Sequence, residues 1–460
     1  MLDGPWLDLP GRKGDSGRRG HWDHDRAPLG GQDACHRASV YRLGAAEVEV
    51  VARPPRPAPG DSRNASRCRC LAQILRWERI THDLEGWAVS AKAEQRPPLT
   101  IAAVGDLQLG DSSISLGYGF RSRYQGREDL GGLFDGVRTA LAADIVFGNL
   151  ECTLSNAGLV PSQWQSAQMR GHPAFAAALR QAGFTVLNVA NNHAVQHGPE
   201  TFRETVALLR SMGVETCGVR GEDPWCTAPA VLQTAQGARV GVLGYCLRPR
   251  QYDVSEPPYA EGDAESIQAD VRRLRRDVDH VIVSLHWGEE FVDTPSAAEV
   301  ATARSLIDAG ATLVLGHHPH VVRPVERYGD GVVAYSLGNF VGDMVWYPPL
   351  RHGLLLRCVL RDGAAPDAQL LATRIDDAYR PTLESRQTMA APEQRVVGLA
   401  PGQYDREIRR TIQAQRKAGY LHALRNLRRY PLRVIAQLAR VTLQHKLASL
   451  WPSLSREPRG

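Results

Sequence analysis

The sequence predicts an α/β fold with helices covering a sheet, preceded by a disordered lead and followed by a basic helical tail. Three observations carry this. Short β-branched runs alternate with helix-length amphipathic stretches through the middle of the chain. The lead, 1–97, is rich in Arg, Gly, Pro and Asp. The tail, 400–460, combines scattered leucines with a run of cations.

The lead contains GRKGDSGRRGHWDHD and VARPPRPAPGDSRNASR, which bury too little apolar surface to offset the entropy of ordering. Only Leu71 to Ala91 has a helical pattern, so the segment is expected to be disordered. The central domain, 98–378, follows. Its expected strands are Thr100–Val104, Asp144–Phe147, Thr185–Val189, Val240–Gly244, His280–Leu285, Thr312–Leu315 and Val332–Tyr335. Amphipathic stretches at Pro173–Ala182, Pro199–Met212, Ser266–Asp277 and Ala297–Ala309 read as the covering helices. Leu354–Leu360 and Gln369–Arg374 read as a closing hairpin.

In the tail, eleven Lys or Arg and no Asp or Glu fall between Arg409 and Arg456, a one-sign run that points to an acidic partner. Leu432, Ile435 and Trp451 add apolar surface, so the tail reads equally as a contact with an anionic membrane surface or as a solvated helical pair packing on the domain. The net charge of +5 is mild, and no nucleic-acid partner is expected. No run approaches about eighteen apolar residues, and the N-terminus has no apolar core of a secretory signal. Taken literally, the chain is cytoplasmic or peripheral to the inner face of the membrane. Of eight cysteines, Cys68 and Cys70 form a C-x-C with no second pair to complete a zinc framework.

Residues able to do chemistry cluster just after the expected strands, where open α/β sheets place ligands. The segments are Gly105-Asp106, Gly148-Asn149-Leu150-Glu151, Asn191-Asn192-His193, Ser284-Leu285-His286-Trp287-Gly288 and Gly316-His317-His318-Pro319-His320. Singly, each has an ordinary explanation. An Asp after a strand caps a helix or forms a turn, a lone Glu is a surface carboxylate, and a lone His sits satisfied in a core. Three histidines within four residues resist that reading. Together, Asp, Glu, Asn and several His at separate strand ends make a donor set suited to divalent Mn, Fe or Zn. His172 and Glu289 are further polar candidates, and Tyr335 to Asn339 reads equally as a turn or as a cleft wall.

The ordered series GDLQLG, GNLECTLS, NVANNHAVQHG, SLHWGEEF, GHHPHVV and AYSLGNF resembles the CapA (PGA_cap) family of capsule and poly-γ-glutamate biosynthesis proteins. That resemblance implies a layered α/β sandwich like that of calcineurin-type metallophosphoesterases, and a metal-dependent hydrolase site holding one or two ions. Asp106 would bind the first metal, Glu151 would bridge, and Asn192, His286 and His318 would bind the second. His320 would return to the first, and His193 would face the leaving group as the catalytic residue. Two departures stand out: Gln108 occupies a position where the superfamily has His, and Glu151 replaces an Asp. The substrate implied is an anionic polymer or a phosphoester. The alternative is an accessory protein of polymer assembly or export that binds metal and polymer without turnover.

Overall fold

The computed structural model describes residues 97–127, 130–160, 163–384, 388–392, 395–432 and 434–436. The lead read as disordered, up to residue 96, and the tail beyond residue 436 lie outside these residues.

The strand Leu99–Leu107 is buried at every position but Thr100. Successive side chains on a strand point to opposite faces. Ile101 and Ala103 therefore enter one core while Ala102 and Val104 enter another. A strand apolar on both faces must be covered on both. On one side it pairs in parallel with Ile145–Leu150, which pairs in turn with Val186–Asn188 and then Glu215–Cys217. On the other it pairs antiparallel with His352–Leu360, followed by Asp367–Ile375 and Pro381–Leu383. The expected hairpin thus closes this nine-stranded sheet.

A second sheet of six strands has Arg239–Cys246, His280–His286, Leu313–His317 and Gly331–Ala334 in parallel at its centre. Ala230–Gln233 and Val325–Tyr328 close its edges antiparallel. The alternation that reads as one sheet therefore divides into two, packed face to face through Ile101, Phe147, Val242, Ile282, Leu315 and Leu356. Helices Phe175–Ala182 and Pro199–Ser211 cover the first sheet's outer face. Helices Ala264–Leu274 and Ala297–Asp308 cover that of the second. Reciprocal capping boxes, Asp263 with Ser266 and Ser296 with Glu299, fix the starts of the latter two. The described sheets and their covering helices form a four-layer α/β/β/α sandwich.

The crossovers place the carboxyl ends of the parallel strands of both sheets beside one another. Leu99–Leu107 is irregular there, its register shifting against both Ile145–Leu150 and Asn339–Val341 around Asp106. Gly105 permits this approach, since a Cβ there would lie 1.9 Å from the carbonyl oxygen of Gly338. That carbonyl accepts the Asp106 amide at 2.9 Å.

The helix Pro401–Arg425 buries Thr411, Gln415 and Gly419. It leaves Leu421 and Leu424 exposed, together with Arg409, Arg410, Arg416 and Lys417. Among the described residues no helix is long and apolar enough to cross a membrane.

Two buried carboxylates brace the loops around the strand ends. Asp343 accepts backbone N–H groups of Ser112 at 3.0 Å and Phe120 at 3.2 Å. Asp111 accepts those of Gly117 and Ser122, both at 2.9 Å. Both crowd Gly119, whose absent Cβ would lie 1.8 Å from Asp343 Oδ2 and 2.9 Å from Asp111 Oδ1. Burial, with the Asp111 charge adding to it, pushes the Asp343 carboxyl up to about 7. A folded value above the ordinary one favours folding in the protonated form. That contribution is complete below the ordinary value of 3.8 and is lost as pH rises through about 7. In Asp343→Asn the amide keeps one acceptor and gains a donor toward Asp111. Urea unfolding across about pH 5 to 8 should therefore show a flatter stability profile than the parent and a relative gain at the upper end. A parent-like decline in the variant would contradict this.

Candidate metal centre

Each residue of the centre sits where a buried strand runs out. Asp106 is the last residue but one of the first strand, Glu151 follows Ile145–Leu150, and Asn192 lies four residues beyond Val186–Asn188. From the second sheet come His286 and His317, the last residues of their strands, then His318 and His320. The side chains of Asp106, Glu151, Asn192, His286, His317, His318 and His320 are all essentially removed from solvent. The turn holding the late histidines is strained, with φ of 94° at His318 and 59° at His320 on either side of Pro319. Such non-glycine conformations cost on the order of 1–3 kcal/mol each and persist only where surroundings enforce them. Here the His318 amide donates to Asp106 Oδ2 at 3.2 Å.

Glu151 Oε1 is the geometric centre. His320 Nε2 stands 3.5 Å from it, His286 Nε2 3.6 Å and His318 Nδ1 4.0 Å. No hydrogen bond reaches this oxygen, nor either ring nitrogen of His318, nor Asn192 Nδ2. Leaving a buried polar atom unmet costs about 1–3 kcal/mol, so several together are not an ordinary core arrangement. Glu151, His318 and His320 each offer a ligand atom within 4.8 Å of the others. N and O ligands bind zinc at about 2.0–2.2 Å, and ligand atoms of one such ion stand roughly 3–3.5 Å apart. The spacing is thus slightly wider than a closed site and matches the donor types.

Polar neighbours orient these groups. Asn149 Nδ2 donates to Asp106 Oδ1 at 2.8 Å and lies 3.3 Å from His286 Nδ1. Asn188 Nδ2 donates to Asn149 Oδ1 at 2.8 Å. Asn339 Oδ1 is 3.1 Å from His320 Nδ1, and His317 Nδ1 is 3.3 Å from Asp106 Oδ1. Outer partners of this kind fix ring orientation and basicity in metal sites. Asn188 is an addition to the expected set, and Asn339, from the Tyr335 to Asn339 segment, props His320. Asn149 stands in a segment quoted for Glu151. Gln108 donates from Nε2 to Glu151 Oε2 at 3.2 Å, so the departure at this position still places a polar side chain in the centre.

The electrostatics are those of a site short of positive charge. Burial pushes the Glu151 carboxyl well above its ordinary range, and Asp106 adds to that. Burial also raises Asp106, but His317 and His320 outweigh it and hold the carboxyl far below the usual range. Burial disfavours the His320 cation, yet Glu151 and Asp106 raise it to about 10. Burial drives His286 and His318 well below their ordinary value, so both rings are neutral; His286 Nε2 lies 2.7 Å from Asn192 Oδ1, which brings these two side chains together at the centre.

His193 Nδ1 lies 2.7 Å from Gln196 Oε1. An amide oxygen only accepts, so Nδ1 carries the proton and Nε2 presents a lone pair. Burial pushes this ring down to about 4, against the Gln196 hydrogen bond. The structure thus presents Nε2 of His193, the residue expected to face a leaving group, as an acceptor. His172, His197 and Glu289 are engaged elsewhere. His172 accepts the Ala174 amide, His197 meets the Gln168 carbonyl, and Glu289 pairs with Arg248.

The sequence profile of the family described as bacterial capsule synthesis protein PGA_cap matches residues 100–344, more than half of the chain. Capsule biosynthesis protein CapA of Bacillus anthracis is 27% identical over 296 residues, covering 62% of this chain and 70% of that protein. PGA biosynthesis protein CapA of Bacillus subtilis is 29% identical over 214 residues, covering 45% of this chain and 55% of that protein. The chain therefore spans about half the length of the second relative. A putative 5'-nucleotidase from Staphylococcus aureus, solved with α-ketoglutarate, superposes with a TM-score of 0.33 at 13% identity. It covers 68% of this chain and 58% of its own, a likeness too slight to argue from. The family match runs from Thr100, in the first strand, to Met344, and takes in every residue of the centre. The chain belongs to the bacterial capsule synthesis family PGA_cap.

Proposed function

We propose that the centre holds one or two divalent ions and that the chain is a metal-dependent hydrolase of capsule or poly-γ-glutamate biosynthesis. Its substrate would be a phosphoester or an amide of an anionic polymer. The observation that carries this is Glu151 Oε1, a buried oxygen without a hydrogen bond that faces imidazole nitrogens at 3.5, 3.6 and 4.0 Å. A proton on His320 alone leaves both ring nitrogens of His318 unmet, whereas a cation would engage His318 together with Glu151. Glu151, Asn192, His286, His318 and His320 would hold it, with Asp106 at the first-metal position.

When bound, divalent ions of this kind polarise the scissile group and favour ionisation of water at neutral pH. The chain supplies the rest. Asn149, Asn188 and Asn339 keep the ligand side chains oriented, and the surrounding sheets exclude bulk water. His193, with Nε2 open, is suited to take a proton from the attacking water. It can then return that proton to the leaving oxygen or nitrogen as the bond breaks.

The accessory reading, in which the site binds metal and polymer without turnover, is favoured by one observation. Gln108 stands where a further imidazole ligand is expected and serves only as a hydrogen-bond donor to Glu151. Purified protein assayed with and without metal on an aryl phosphate and on a γ-glutamyl amide separates the two.

Replacing His318 and His320 together by Ala should remove most bound transition metal, read by elemental analysis, while the circular dichroism of the domain persists. Unchanged metal content would sink the proposal. His193→Ala and Asn192→Ala should separate. The first should cost about 10²–10⁴-fold in turnover with metal retained. The second should lower metal occupancy and turnover together. Equal metal loss in both variants would refute these roles.

A further inference from the structure

The C-terminal helix Pro401–Arg425 and the turn after it are firmly seated on their inner side. Gly419 lets the helix lie close, since a Cβ there would stand 3.0 Å from Ile114 Cδ1. Ala418 and Ile114 pack against a cluster formed by Phe291, Val321, Met344, Trp346 and Leu350. The Phe291 ring centroid in turn lies 6.2 Å from that of His320. Beyond the helix, Tyr430 meets Tyr118 edge-on at 4.9 Å between centroids, and its hydroxyl donates to the Ile114 carbonyl. Pro431 fills the space beside Gly117, where a Cβ would lie 2.5 Å from Pro431 Cγ. The segment therefore rests on the loop that follows the first strand's carboxyl end, on the side of the domain that holds the centre.

The outer side has no such partners. Tyr420, Leu421 and Leu424 on the helix, then Leu427 and Leu432, are all exposed, Leu432 at 85%. Five of the ten large apolar side chains exposed among the described residues thus fall between Tyr420 and Leu432. Single exposed leucines are ordinary, whereas a concentration of them marks an interaction surface. At about 3.6 residues per turn, Tyr420, Leu421 and Leu424 point away from the seated Gly419. Arg416, Lys417, Arg425 and Arg428 are exposed around them, and among the described residues no ion pair engages these four. The chain has no Asp or Glu between Glu407 and Glu457.

Charge selects among the occupants of this face. Residues 437–460, outside the described part, carry Arg440, Lys446, Arg456 and Arg459 against Glu457 alone. A second copy would present the same cations, so both would bring like charge. A soluble polyanion would pair with the cations and leave the leucines in water. An anionic lipid surface meets both, with leucines at the acyl boundary and cations among the headgroups. We propose that this face docks on an anionic lipid bilayer and so holds the centre's side of the domain at the membrane. The inference stands independently of the cation reading.

The test is sedimentation of the full chain with vesicles of equal parts phosphatidylglycerol and phosphatidylcholine, with phosphatidylcholine alone as the neutral arm. The parent should bind the anionic vesicles, more weakly as salt rises, and leave the neutral ones in suspension unbound. Arg416→Gln, Lys417→Gln and Arg425→Gln together should weaken binding about 100-fold, at roughly 5-fold per cation. Leu421→Gln with Leu424→Gln should weaken it at least about 10-fold. These positions are exposed, so both variants should keep the parent's melting temperature. Parent-like vesicle binding in either variant would overturn the proposal, as would equal binding to neutral vesicles. Capture of soluble poly-γ-glutamate without vesicle binding would also overturn it and make the face a polyanion track. A parent dimer that the leucine variant dissociates, with no vesicle binding, would overturn it in favour of a second copy.

Discussion

Asp106 and Glu151 are two carboxylates placed where water does not reach, and the surrounding architecture answers to that. Moving a carboxylate into an apolar interior is costly unless the charge is paired and its lone pairs are met. Asp106 is well served, by Asn149, the His318 amide, His317 and His320. Glu151 is not, for one of its oxygens accepts from Gln108 and the other has no hydrogen bond. The asymmetry accounts for the opposite directions of their acidities, and for the proton that His320 retains between them.

The sandwich exists to bring these groups together without exposing them. Parallel strands of both sheets end at one place, so ligands arrive from five separate chain passages. The irregular register at Asp106 and the glycines that admit backbone at van der Waals distance or closer are consequences of that crowding. Gly316 is such a case, with its missing Cβ 2.2 Å from the carbonyl oxygen of Tyr335. Substitution at these positions would displace backbone, and with it the ligand next in sequence.

Much of this was legible in the residues. The β-branched runs located the central strands, because strands buried on both faces leave continuous apolar segments. The chemistry-bearing residues followed those runs directly. The layering into a sandwich was legible only through the family resemblance, since periodicity reports which faces are apolar and not which strands pair. Edge strands such as Ala230–Gln233 and Val325–Tyr328 escaped for a related reason: each is four residues long and partly exposed, with little pattern to detect. Asn188 was hidden because an asparagine in a strand carries no signature until its partners are known, and Asn339, though within a quoted motif, had no role until its contact with His320 was seen. The tautomer of His193 was not legible either, because it depends on Gln196, three residues on, whose amide oxygen selects it.

The central claim is that Glu151 Oε1 and the imidazoles of His286, His318 and His320 share a cation. Anomalous diffraction from crystals equilibrated with manganese(II), recorded at a wavelength where manganese scatters anomalously, tests it most directly. The account predicts a strong peak among these four side chains, with ligand distances near those of a divalent ion, about 2.0–2.2 Å. The absence of a peak there at saturating manganese, with these side chains ordered and unchanged, would contradict it.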